Sequence, residues 1–374
     1  MQINTVDSIN QIKKFCCENF TDKNPFISYD FFELLEKTHC TVNVKGWIPE
    51  HIIIKDKNKL VGFIPNFRKL NSYGEFVFDQ IFENAFYQIG KNYFPKFLSA
   101  IPFTPVTRNN FLYYSDKVND DQLFNELKVF LQKKKISSFH VNFIDEIVSN
   151  KLKKYFHQRV GIQYHWKNNE YKSFDHFLRH LKSRKKKNIL KERRFIKDKN
   201  INFTIKVGKD IDEVDLLNLY RCYSHTVNKK WSQEYLTKDF FLQLPNSNLI
   251  ENTLLISAYF EGKFAGCSVH FRKNKNLYGR YWGALYEIPN LHFELCYYQA
   301  IEYAILNSLE LVEAGAQGEH KISRGYLPVK TFSCHWFNDG ALEKPISNFL
   351  MEEEQRVIST LNYLEKNLSP FNDK

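Results

Sequence analysis

Glycine and proline are scarce in this chain, at 14 and 11 of 374 residues, too few for collagen-like or low-complexity sequence. No apolar run approaches the ~20 residues a spanning helix needs, and the mean hydropathy is −0.46. None of the 7 cysteines forms a C-x-x-C pair. A disulfide framework or structural zinc site is therefore not expected, and a reducing compartment is. Met1 to Asn10 lacks the basic start and apolar core of a secretory leader, so a cytoplasmic protein is expected. Also missing are the G-x-S-x-G elbow, the phosphate loop G-x-x-x-x-G-K-[ST] and the zinc helix H-E-x-x-H. What is present argues for a folded protein. The hydrophobic content is 43% and the aromatic content 16%, more than a disordered chain carries.

The length suits two domains. Helical spacing of apolar residues marks Val6 to Phe20, Ile27 to Thr38 and Asn119 to Lys134. His51–Lys55 and Leu60–Ile64 read as a hairpin, and Ser138–Phe143 and Gly161–Trp166 as strands. The second half repeats this order. One long helix is expected from about Ser173 to Lys197, a strand at Asn202–Val207, and helices near Asp210–Val227 and Gln233–Leu244. A hairpin turning at Glu261-Gly262 follows, with a third strand over Leu277–Leu285. Then come a helix over Leu291–Asn307, a strand at Leu311–Ala314 and a helix over Ser347–Glu365. The expectation is an α/β protein of two modules, 1–170 and 171–374, with mixed, largely antiparallel sheets flanked by helices.

The net charge of +11 is concentrated. Lys172 to Lys199 holds twelve basic residues, among them Arg184, Lys185 and Lys187, against only Asp175, Glu192 and Asp198. A solvated helix face would account for such a run. An anion-binding surface would too, because adjacent like charges repel one another unless a polyanion or solvent screens them. Transfer RNA, a nucleotide phosphate and acidic lipid headgroups all qualify.

Polar residues and glycines are densest between Arg280 and Trp336. Trp282 lies in the strand expected over Leu277–Leu285. His292 and Glu294 begin the next helix, where either points into a site as a base or simply complements the helix dipole. Gly315, Gly318 and Gly325 interleave with Gln317, Glu319, His320, Lys321 and Arg324 in a loop after a strand. Binding groups collect in such loops, and glycine there permits positive φ or close approach to a ligand. Glu313, Glu319 and His320 match no strong metal spacing, so no metal is expected. Cys296 and Cys334 read as core filling more readily than as nucleophiles.

The run His292-Phe293-Glu294-Leu295-Cys296-Tyr297-Tyr298-Gln299-Ala300-Ile301-Glu302 resembles the FemAB-like predicted N-acyltransferase family, associated with peptidoglycan biosynthesis and recognition. So do Glu313–Lys321, Arg324–Pro328, Asn24–Phe26, Gly46-Trp47, Ser72–Asp79, Tyr93–Lys96, Ser99–Thr107, and Ser183–Ile189 with Glu192–Arg194. The resemblance covers nearly the whole chain. It implies tandem modules of the GCN5-related N-acetyltransferase (GNAT) type and transfer of an acyl or aminoacyl group to an amine. The implied donors are acyl-CoA or aminoacyl-tRNA, with tRNA on the basic helix. The implied acceptors are a peptidoglycan-precursor peptide, a small-molecule amine or a protein amine. The Q/R-x-x-G-x-G/A motif of ordinary acetyltransferases is absent, which counts against a standard acetyl-CoA site.

On this reading Glu294, Glu319 or His320 takes the amine proton. His292, Trp282, Gln317, Lys321, Arg324, Arg184, Lys185 and Lys187 bind donor or acceptor. The competing expectation is a non-catalytic module that binds tRNA or a cell-wall precursor on the same fold.

Overall fold

A computed structural model describes residues 1–20, 24–114, 119–229, 233–316 and 318–372. Two compact units result, Met1–Gly161 with Lys330–Ser359 and Ile162–Val329 with Thr360–Lys374. They differ from contiguous halves divided at 170/171, because residues 330–359 belong with the first unit.

The first unit holds strands β1 (Gln2–Val6), β2 (Trp47–Pro49), β3 (His51–Asp56), β4 (Lys59–Ile64), β5 (Phe67–Lys69), β6 (Lys96–Ser99), β7 (Tyr113–Tyr114) and β8 (Ser138–Ile144). The expected hairpin is β3–β4, and its turn sets Lys57 and Asn58 at positive φ of 46° and 66°. β1, absent from the sequence expectation, pairs antiparallel with β3. A second ladder joins β2, β5, β6 and β8, the last pair parallel. Phe97, Leu127, Phe139 and Phe156 lie in its core.

β9 (His157–Lys167) leads into the second unit. There follow β10 (Asn202–Val207), β11 (Thr253–Phe260), β12 (Lys263–Lys273), β13 (Asn276–Ala284), β14 (Leu311–Glu313) and β15 (Leu327–Phe337). β10 to β13 form an antiparallel meander. β14 pairs parallel with β13 and antiparallel with β9. This is the mixed, largely antiparallel sheet expected. β15 was not expected. Its later residues pair with β8 from Phe332↔Ile144 to Phe337↔Ser138, which draws 330–337 to the first unit.

The helix expected over 173–197 is two helices, Phe174–Arg179 and Ser183–Asp198. Ser173 caps the first through His176 N at 3.0 Å. The break has a tertiary cause. Leu181 bridges Phe371, and Lys182 N donates to Pro370 O at 2.8 Å. Backbone groups spent on that bridge are lost to a helix ladder. The helix expected over Gln233–Leu244 shrinks to Lys238–Leu242. The helix over 291–306 forms as expected but carries a π-turn at Glu294–Tyr298. Among the described residues, no helix is long and apolar enough to cross a membrane.

Candidate active site

The parallel ladder of β13 and β14 ends at Tyr278↔Glu313, while β13 continues to Ala284 against β12. In sheets with parallel strands, ligands gather at the strands' carboxyl ends. Two elements converge there, the helix over 291–306 and a 3₁₀ turn at Glu319–Arg324. The turn replaces the open loop expected from sequence. Its flanking glycines take positive φ, 123° at Gly318 and 95° at Gly325. A Cβ on Gly318 would stand 2.6 Å from the His320 ring, so glycine makes room for the imidazole as well as for the turn.

A cavity of about 680 Å³ opens beside the helix start. It is lined by His225, Thr226 and Lys229, by Trp282 and Ala284, and by the stretch from Tyr286 to Phe293. Trp282 and His292 stack on each other in its wall, with ring centroids 4.3 Å apart at 27°. Thr226 Oγ1 donates to Trp282 O at 3.0 Å. Asn290 begins the helix at φ 68° without a side-chain cap. The first-turn residues that line the cavity therefore keep the positive end of the helix dipole uncapped by a side chain.

His320 is exposed, and its Nε2 lies 3.0 Å from the Tyr297 hydroxyl. Its ring centroid is 6.2 Å from that of His292 and 6.1 Å from that of Phe293. Partial burial, then the charges of Arg324 and Lys321, hold its pKa below the usual imidazole value. This favours the neutral imidazole. Glu319 is exposed one residue earlier.

Glu294 is 2% exposed. Its Oε1 accepts from Gln299 Nε2 at 2.8 Å and pairs with Arg193 Nη2 at 3.0 Å, while Oε2 has no hydrogen-bond partner among the described residues. Burial raises its pKa against the opposing pull of Arg193. Lys321 is also buried. Its Nζ donates to Gly315 O at 3.0 Å, and burial lowers its pKa to about 8.

Arg324 is fully engaged. Nη2 donates to both oxygens of Glu192 at 2.9 and 3.1 Å, Nη1 to His320 O at 2.9 Å, and Nε to Tyr298 Oη at 3.1 Å. Its guanidinium lies 3.4 Å from the centroid of the Phe293 ring. Tyr298 Oη also bonds Glu192.

The basic helix Ser183–Asp198 therefore does more than face solvent. Lys185 Nζ approaches Ser323 Oγ at 3.5 Å, Glu192 holds Arg324, and Arg193 pairs with both Glu294 and Glu302. Arg184 and Lys187 remain exposed. Trp282, His292, Glu294, Glu319, His320, Lys321 and Arg324 all lie on or next to these converging elements. Gln317 lies outside the described residues. Glu192, Arg193, Tyr297 and Tyr298 were not singled out as site residues. The acid at 192 within a basic run was the available signal, since a lone opposite charge there has a local reason to exist.

Cys334 contacts Ser149 rather than His335, and burial pushes its thiol up to about 12, the state of an inert thiol. Among the described residues, no group of three or more His, Cys, Asp or Glu side chains is placed to hold a metal.

A family model named FemAB-like, described as peptidoglycan biosynthesis/recognition, matches residues 6–373, and the chain belongs to that family. No curated protein sequence matches it. Among the solved structures it resembles are three of similar length. FemX is 11% identical, covering 93% of this chain and 100% of its own, with a TM-score of 0.50. A conserved protein of unknown function from Bacteroides thetaiotaomicron VPI-5482 is 12% identical, covering 89% and 99%, also with a TM-score of 0.50. L-PGS from Bacillus licheniformis is 8% identical, covering 90% and 98%, again with a TM-score of 0.50. At such identities the likeness concerns the fold.

Proposed function

We propose that this FemAB-like protein transfers an acyl or aminoacyl group from acyl-CoA or aminoacyl-tRNA to an amine, by direct attack of the amine. The observation that carries this reading is a cavity at the carboxyl end of a parallel strand pair, walled by the Trp282–His292 stack, with the His320 ring 6.2 Å from that of His292.

Amide formation needs a neutral amine held against an activated carbonyl. Positioning alone supplies much of the rate. His320 accepts a proton from the attacking nitrogen through the ring nitrogen that does not face Tyr297. Glu319, exposed beside it, is the second candidate base. Glu294 is buried and held by Arg193 and Gln299, which suits a positioning role in the helix start. The flat faces of Trp282 and His292 suit an acyl or aminoacyl side chain. The exposed cations of the basic helix, Arg184 and Lys187, suit the phosphates of either donor. Lys321 and Arg324 brace the turn that carries His320. The acceptor is a peptidoglycan-precursor peptide, a small-molecule amine or a protein amine.

Mass spectrometry of the purified protein with acyl-CoAs and charged tRNAs, against precursor peptides and polyamines, tests this. A mass-shifted acceptor identifies donor and acceptor together. Tight binding of a donor with no transfer to any amine would support the binding-module alternative instead.

A further inference from the structure

Glu313 has no part in the arrangement above. It ends β14, at the last rung of the parallel ladder with β13. The residue is 7% exposed, and its Oε2 has no hydrogen-bond partner among the described residues. His165 Nε2 on β9 stands 3.9 Å away and lies 3.2 Å from Gln163 Oε1. A buried carboxylate oxygen with no donor is destabilising, and such an atom calls for an explanation.

We propose that Glu313 is the seat of the acceptor's ammonium group, which supplies the missing N–H to Oε2. The inference rests on the transfer reading above. In the reaction, R–NH₃⁺ gives one proton to the Glu313 carboxylate. The nitrogen lone pair forms the C–N bond as the donor's C–S or C–O bond breaks. His320 takes the second amine proton and passes it to the departing sulfur or oxygen, and Glu313 returns its proton to solvent. Burial supports this role by raising the Glu313 pKa to about 8, against the pull of Arg280, which brings the group near the pH at which a base works best.

The test is calorimetric binding of n-butylammonium to the full chain, with n-butanol as the neutral control. The ammonium stays charged to about pH 9. The expected result is ammonium binding that tightens between about pH 6 and pH 9 as Glu313 ionises, no comparable binding of butanol, and a loss of roughly tenfold or more in Glu313→Gln. The other groups near Glu313 are His165 and Gln163 on β9 and Arg280 on β13. Burial drops the His165 pKa to about 3, so it does not titrate in that range. Lys321, which acts on His165, does; the pH rise must therefore survive in Lys321→Met.

Equal ammonium binding by wild type and Glu313→Gln, equal binding of butanol, or a flat wild-type pH profile overturns the proposal. The wild-type profile decides should Glu313→Gln fail to fold. Glu313-dependent ammonium binding without transfer from any donor sinks the transfer reading and leaves the seat standing. Transfer with unchanged KM in Glu313→Gln does the reverse.

Discussion

Arg324 Nη2 donates to both carboxylate oxygens of Glu192, at 2.9 and 3.1 Å, across 132 residues of sequence. The pair ties the basic helix to the turn that carries His320. Glu192→Ala leaves a buried guanidinium with fewer acceptors and is expected to lower the unfolding free energy by about 1–3 kcal/mol. Urea denaturation measures this. A double-mutant cycle with Arg324→Met should show coupling of about 0.5–3 kcal/mol; additive losses would mean that the pair is incidental.

His320→Ala is expected to reduce turnover by roughly 10²- to 10⁴-fold while shifting stability by no more than about 0.5 kcal/mol, because the residue is exposed. Its lowered pKa favours the free base. Turnover should therefore fall only on the acid side of the ordinary histidine range, at about pH 6.5 and below. Wild-type turnover in a folded His320→Ala protein removes it from the mechanism.

Replacing Lys185, Lys186 and Lys187 with glutamine should weaken donor binding at low salt. For single-stranded RNA, the slope of log affinity against log salt should lose roughly 0.7 for each phosphate contact removed. Affinity and slope that match wild type would make this helix face a solvated surface.

In the first unit, Lys96 is fully buried. It donates to Glu75 Oε2 at 2.8 Å and also bonds Asp79 Oδ2. Lys69 lies nearby over the Trp47 ring, and burial lowers its pKa to about 7. Lys96→Met leaves two buried carboxylates short of a cation and should cost about 3–5 kcal/mol. Thermal and denaturant unfolding report it; a loss under about 1 kcal/mol would show the cluster relaxing into water.

Acid should destabilise the protein through its buried histidines. Burial drops the pKa of His270 to about 4 and that of His165 to about 3, and lowers those of His140 and His335. Below about pH 6.5 the unfolded chain binds protons that these native sites refuse. Stability is therefore full above that value and falls as pH drops toward the native pKa of each, by up to about 1.4 kcal/mol per pH unit for each histidine. Unfolding free energies from about pH 7 to pH 4 check the slope, and His270→Gln should flatten it.

Local pattern determined much of the second unit. The apolar spacing over 291–306, the hairpin at Glu261-Gly262 and the short strand at 311–313 were legible because each encodes its own periodicity and turn. The glycines at 318 and 325 announced positive φ, and the runs shared with the family pointed to its fold. Tertiary structure decided the rest. The long helix breaks at 180–182 because residues 370–372 compete for its backbone. Residues 330–337 return to the first unit because β8 pairs with them. Glu192 reads as a stray acid in a basic run until Arg324 meets it, and Glu313 as an acid on a short strand until the end of the β13–β14 ladder buries it. Periodicity tells which face of an element is apolar. Which charges meet across a hundred residues, and which carboxylate is left without a donor, depends on packing that no local spacing records.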